Sequence, residues 1–249
     1  MQADKFYDQY WHNDGNRAAE WDERSFYRYL APLIGLDSVL DYGCGRGCSY
    51  QRRLTGVVKN YVGADVAEVA LADARQKGLA TLKINPDTSA IDSPDNRFDG
   101  ALCIEVLEHL FDPLKAAREL NRVLKPGGVL VATVPNFGYH AWRLLALLRA
   151  QVPMEPQSNR YDGVHIRFFS KLLLTRLLRD AGFVDIKISS WDQASIWDVF
   201  WAAGPFYSIS TSAKKYLPGF MHLRFLQDAW PNIFAIRLRA TAWKPKRLQ

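Results

Sequence analysis

Cysteine is scarce in this chain: three in 249 residues, Cys44, Cys48 and Cys103. The odd count offers no paired framework, which argues against a disulfide-stapled fold and fits a reducing compartment. Cys44 and Cys48 have no two further metal ligands at matching spacing nearby, so all three cysteines read as small packing residues and no metal is expected. Long apolar runs are missing too. Val199 to Ala213 is uncharged for 15 residues but contains Gly204-Pro205, short of the roughly 20 apolar residues of a spanning helix. The amino terminus has Asp4, Lys5 and Asp8 and no apolar stretch, so no signal peptide is visible and a cytoplasmic location is expected. Repeats and low-complexity segments are absent. Acidic residues nearly vanish after residue 200: only one of the 26 Asp and Glu, Asp228, lies there, against eight of the 32 Lys and Arg. The net charge of +6 therefore belongs to the carboxy-terminal part.

What is present is a glycine-punctuated turn behind a buried strand. Val39-Leu40-Asp41-Tyr42-Gly43-Cys44-Gly45-Arg46-Gly47 runs apolar and then breaks at alternating glycines, which allow positive φ and close approach of a ligand. Alternating glycines also occur in plain turns. A second strand, Tyr61-Val62-Gly63-Ala64-Asp65, ends in a carboxylate at the spacing where an acid reaches a ribose. Two coupled signals point to a nucleotide-like ligand. Strands read near 38–42, 60–65, 80–84, 98–104 and 127–134, with helices near 47–55, 67–77 and 113–124. Sixth and seventh strands are expected near 183–189 and 232–243. This alternation predicts an α/β, doubly wound, mostly parallel seven-stranded sheet in one domain. Residues 1–35 read as a helical flap and 36–135 as the ligand-binding core. Two long connections, 136–169 and 190–231, read as helical insertions after strands 5 and 6 that would lie over the ligand face as a substrate lid.

Four blocks resemble the class I methyltransferases that use S-adenosylmethionine. They are Asp41-Tyr-Gly-Cys-Gly-Arg-Gly47, Val62-Gly-Ala-Asp65, the stretch from Phe98 to Pro113 and the stretch from Leu120 to Leu130. Val134-Pro-Asn-Phe-Gly138, His165-Ile-Arg-Phe-Phe-Ser170 and Asp180-Ala-Gly-Phe183 are similar to MetW-like and ubiquinone-type methyltransferase domains. The resemblance implies that Gly43, Gly45 and Gly47 pack against the methionine and ribose portions of the cofactor. It implies that Asp65 accepts from the ribose hydroxyls and that Asp87 holds the adenine amine, although Asn85-Pro86-Asp87 also suits a turn. Asp41 has the charge for the cofactor's ammonium or, alternatively, ties down the turn. Glu105 borders the cofactor. His109, in Glu105-Val-Leu-Glu-His109, is the first candidate for a general base and His165 the second, with Arg167 beside it to meet an anionic acceptor. His109 read structurally would cap or pack a short helix.

The reading this favours is methylation, on oxygen more than nitrogen or carbon, of a small or lipid-linked acceptor. Trp197, Trp201 and neighbouring aromatics among basic residues suit an anionic or lipid-like surface, and peripheral membrane contact follows as an expectation. A solvated basic face is the plainer alternative. A nicotinamide dehydrogenase fits less well, because position 48 is Cys where G-x-G-x-x-G requires its third glycine. A non-catalytic, cofactor-binding protein partner is the alternative from outside enzymology. Nucleic acid is a weak candidate, since no reader motif accompanies the basic residues.

Overall fold

Strands form where the sequence is apolar on both faces. The computed structural model describes residues 30–47, 58–139, 165–191 and 229–246, together with Asp8, Leu54, Gly56, Arg143 and Leu147. Within them, β1 (Ser38–Tyr42), β2 (Asn60–Asp65), β3 (Ala80–Lys83), β4 (Phe98–Ile104), β5 (Leu124–Pro135), β6 (Val184–Ser190) and β7 (Arg237–Trp243) join one sheet. Val39–Tyr42, Val62–Asp65 and Gly100–Ile104 are continuously buried, as central parallel strands covered on both faces must be. The order is β3-β2-β1-β4-β5-β7-β6. β7 alone runs antiparallel, pairing with β5 from Val129↔Trp243 to Pro135↔Arg237 and with β6 on its other side. The chain leaves β1 for β2 on one side and reaches β4 on the other, so a crevice opens beyond the carboxyl ends of β1 and β4.

Helices begin where caps and apolar spacing coincide. α1 (Glu68–Gln76) buries Ala70, Leu71 and Ala74. α2 (Pro113–Val123) starts at Asp112, whose carboxylate accepts from the N–H groups of Leu114 and Lys115, with proline at the first helical position. Its buried Ala116, Ala117, Leu120 and Val123 form one stripe. α3 (Lys171–Asp180) is capped by Ser170 and buries Leu174 and Leu178. It ends at Gly182, φ +91°, where Phe183 N–H returns to the Leu178 carbonyl, a left-handed helix stop. α2 and α3 side chains share a core with one face of the sheet, while Leu30, Leu33, Leu54 and Trp191 cover the other.

Two expectations need correction. The seventh strand was expected from residue 232, but Pro231–Phe234 is a short helix, α4, and β7 begins at Arg237. Pro231 at its first position has no N–H to give a strand ladder and suits a helix start. The buried Asn136 amide fixes this turn, donating to the carbonyls of Pro231, Asn232 and Ala235 at 3.1, 3.2 and 2.7 Å. Secondly, the fifth strand was expected near 127–134, but β5 begins at Leu124 and takes in Lys125-Pro126-Gly127-Gly128. Gly127, φ +81°, donates to the Lys244 carbonyl, and the ladder with β4 shifts register between Phe98 and Gly100. Most of the flap and of both insertions lies outside the described residues.

Candidate cofactor and acceptor site

The glycine turn is held from beneath by the end of β2. Gly43 and Cys44 both donate to the Ala64 carbonyl, at 2.7 and 3.0 Å, and Gly47 closes on the Cys44 carbonyl at 3.0 Å. Gly43, at φ +82°, lies so close to the Val106 side chain that a Cβ would collide with it. That approach brings the turn after β1 against the turn after β4. Cys44 and Cys103 are buried, free thiols, as packing residues should be, while Cys48 lies outside the described residues.

Two buried carboxylates face this turn. Asp65 accepts from Gly45 N–H through Oδ2 and from Ala67 N–H through Oδ1, both at 2.9 Å. It therefore ties the glycine turn to the start of α1. Burial pushes its pKa up despite the backbone donors that lower it. Asp41, 1 % exposed, accepts from the Tyr61 hydroxyl at 2.5 Å. Burial pushes its pKa up to about 7, the tyrosine bond pulls it back, and the Asp65 charge adds to the rise. An incoming ammonium relieves this crowding of negative groups. The pair thus fits the amino-acid end and ribose of S-adenosylmethionine. Asp87 is exposed in a turn where its N–H bonds to Asn85 Oδ1 at 2.9 Å. The rest of that loop is tethered: Tyr42 hydroxyl donates to Ser89 O, Ile91 N–H to Glu119, and Arg122 to the carbonyls of Ile91 and Ser93.

Glu105 follows β4 with φ +54°, a left-handed conformation uncommon outside glycine. Thr133 on β5 holds it there, accepting its N–H and donating to its Oε1 at 2.9 Å. Arg237 Nε stands 3.5 Å from its Oε2. The next turn, Leu107–His109, carries Glu108 and His109. The Glu108 carbonyl accepts from Ile166 and Arg167 N–H, both at 3.0 Å, which lays the 165–167 segment on this turn. The structure thereby brings His109 and His165 together, ring centroids 4.7 Å apart, across 56 residues of sequence. Burial, His109 and Arg237 lower the pKa of His165 to about 4, so it is a neutral imidazole at cellular pH. Arg167 does not accompany it toward an acceptor: its guanidinium turns back to the carbonyls of Leu110 and Phe111. The guanidinium beside the histidines is Arg237, from β7. Sequence reasoning missed Arg237, which no local motif marks, and Glu108, which stood in the Glu-x-x-Glu-His run. Tyr61 was read only as the start of the second strand, not as the partner of Asp41.

A family model described as a methyltransferase domain matches residues 9–188. The chain belongs to that family. The chain is 30 % identical over 160 residues to a probable S-adenosylmethionine-dependent methyltransferase of Mycobacterium tuberculosis, covering 64 % of this chain and 53 % of that protein. It is 34 % identical over 157 residues to a ubiquinone biosynthesis O-methyltransferase of Ruegeria pomeroyi, covering 61 % of each. The chain thus spans less than two thirds of the length of these curated relatives. A solved S-adenosylmethionine-dependent methyltransferase from Archaeoglobus fulgidus superposes with a TM-score of 0.60 at 18 % identity, over 89 % of this chain and 92 % of that one, which shows a shared fold. S-adenosylmethionine dependence is part of the names of the first of these relatives and of the solved structure.

Proposed function

We propose that the methyltransferase moves the methyl group of S-adenosylmethionine onto a hydroxyl oxygen of a small or lipid-linked acceptor. The observation that carries this is the meeting of His109 and His165 at the crevice, one of them held neutral and both beside the turn after β4. An alcohol or phenol needs its proton removed as oxygen attacks, and neutral imidazoles accept it. The ubiquinone biosynthesis O-methyltransferase among the relatives supports oxygen as the acceptor atom.

The cofactor supplies an electrophilic methyl group, transferred by in-line displacement. The protein's residues bind and align. In this reading Asp41 takes the ammonium, Asp65 the ribose, Asp87 the adenine amine, and Glu105 borders the methionine end. Gly43, Gly45 and Gly47 let the backbone approach. Alignment contributes on the order of 7–11 kcal/mol, against about 10²- to 10⁴-fold from a general base, so positioning dominates. Most of the insertions at 136–169 and 190–231, Trp197 and Trp201 included, lies outside the described residues, and they are assigned to the acceptor lid by their places in the chain. No helix among the described residues is long and apolar enough to cross a membrane. Contact with an anionic lipid surface is proposed from the basic carboxy-terminal part.

Purified protein is incubated with S-adenosylmethionine and phenolic or lipid-extract fractions, and products heavier by one methyl group are sought by mass spectrometry. A new O-methyl product is expected. Cofactor binding without turnover on any fraction would instead favour a regulatory, non-catalytic protein partner.

A further inference from the structure

We propose that Glu108, His109 and His165 form a binding site for one divalent transition-metal ion of the zinc class. One ligand atom from each residue lies within 4.8 Å of the others. Glu108 Oε1 stands 3.8 Å from His109 Nε2 and 3.9 Å from His165 Nε2. Those separations are too long for hydrogen bonds. In tetrahedral coordination two bonds of about 2.0–2.2 Å hold their ligand atoms about 3.4 Å apart, so sharing an ion asks these groups to approach by about half an ångström. The imidazoles, 19 % and 31 % exposed, have open space on one side in which to turn toward an ion.

The independent observation is Glu108 itself. Its side chain is 0 % exposed, and neither carboxylate oxygen accepts a hydrogen bond. A buried carboxyl without a partner is costly, and this one is aimed between two imidazoles. Arg237, which lies against Glu105, is the guanidinium near enough to favour its charge, but neither oxygen of Glu108 accepts a hydrogen bond from it. The set is also held in place. Glu108 and His109 share the turn after β4, and the Ile166 and Arg167 N–H groups bond to the Glu108 carbonyl, seating His165 opposite. Two imidazole nitrogens and one carboxylate oxygen are the donors of zinc and iron(II) sites that keep a position open. The sequence argument against metal considered the two cysteines near the glycine turn, not this set.

The ion's part in catalysis rests on the methyl transfer proposed above, although its binding does not. There it would hold the acceptor oxygen and lower the hydroxyl pKa, doing as a Lewis acid what free imidazoles do as bases. The O–H bond breaks and its proton passes to solvent. The O–CH₃ bond forms as the S–CH₃ bond breaks, and no electrons enter or leave the site.

The test uses the full chain, freed of metal with a chelator and titrated with Co²⁺ alone. Visible d–d absorption and equilibrium dialysis should show one Co²⁺ per chain, displaced by Zn²⁺. Glu108→Gln, which keeps the shape of the buried side chain, and His165→Ala should each weaken binding by more than about 100-fold, beyond the loss of a supporting hydrogen bond. Melting curves report whether each variant folds, and either variant suffices. Absence of Co²⁺ and Zn²⁺ binding by the wild-type chain, or unchanged binding by a folded variant, overturns the site. Full-rate methyl transfer by the metal-free chain overturns the ion's catalytic part. Co²⁺ binding with no methyl transfer overturns the proposed function instead.

Discussion

Asp65 holds the glycine turn with its carboxylate and, in the proposed function, also takes the ribose, so its substitution should show two effects. Asp65→Ala leaves the Gly45 and Ala67 N–H groups without their partner and removes the acceptor that the proposed function gives to the ribose. We expect cofactor binding to weaken by about 1–3 kcal/mol and stability to fall by a similar amount. Calorimetry with S-adenosylmethionine and thermal melts measure the two. The sequence suggested the first effect alone, because the bonds to the glycine turn are tertiary. Asp41 gives a pH signature. With a pKa of about 7 in the fold against an ordinary 3.8, the native chain holds a proton between those values that the unfolded chain has released. Stability of the cofactor-free protein therefore declines as pH rises from about 4 through 7. Asp41→Asn should remove that decline, worth up to about 4 kcal/mol, and flatten the melting temperature between pH 5 and pH 8. A wild-type melting temperature that rises over that range would show Asp41 ionised throughout.

At the scale of elements, Asn136 is the joint between β5, α4 and the segment before α3. Its amide donates to three carbonyls, its Oδ1 accepts from Gly138 N–H at 2.9 Å, and its backbone bridges to Phe169. Asn136→Ala should cost about 2–4 kcal/mol, since it orphans several buried groups at once. Amide exchange should rise first in 231–236. Uniform exchange across the sheet would show that the joint is not a local one. The sequence offered Val134-Pro-Asn-Phe-Gly138 as a resemblance; the structure supplies the reason for the asparagine. Strands β1, β2 and β4 were legible almost to the residue, because burial on both faces demands an unbroken apolar run. The start of β7 was not, because Pro231–Phe234 owes its shape to Asn136, nearly a hundred residues earlier.

Across the whole molecule, charge is divided more sharply than the total suggests, with the excess in the carboxy-terminal part. Liposomes containing anionic lipid should retain the protein at low salt and release it near 1 M salt, where the screening length falls to about 3 Å. Sedimentation with neutral liposomes as control measures this, and equal retention on both would remove the electrostatic argument.

The sequence alone determined the sheet's alternation and the glycine turn with Asp65, because those signals are local: apolar period, glycine placement and one fixed spacing. Tertiary structure decided what lies around the acceptor crevice. It set His165 against His109, turned Arg167 away, brought Arg237 in on the antiparallel β7, and buried Glu108 between the imidazoles. Such pairings depend on strand order and on backbone bonds between distant turns, which no spacing along the chain encodes.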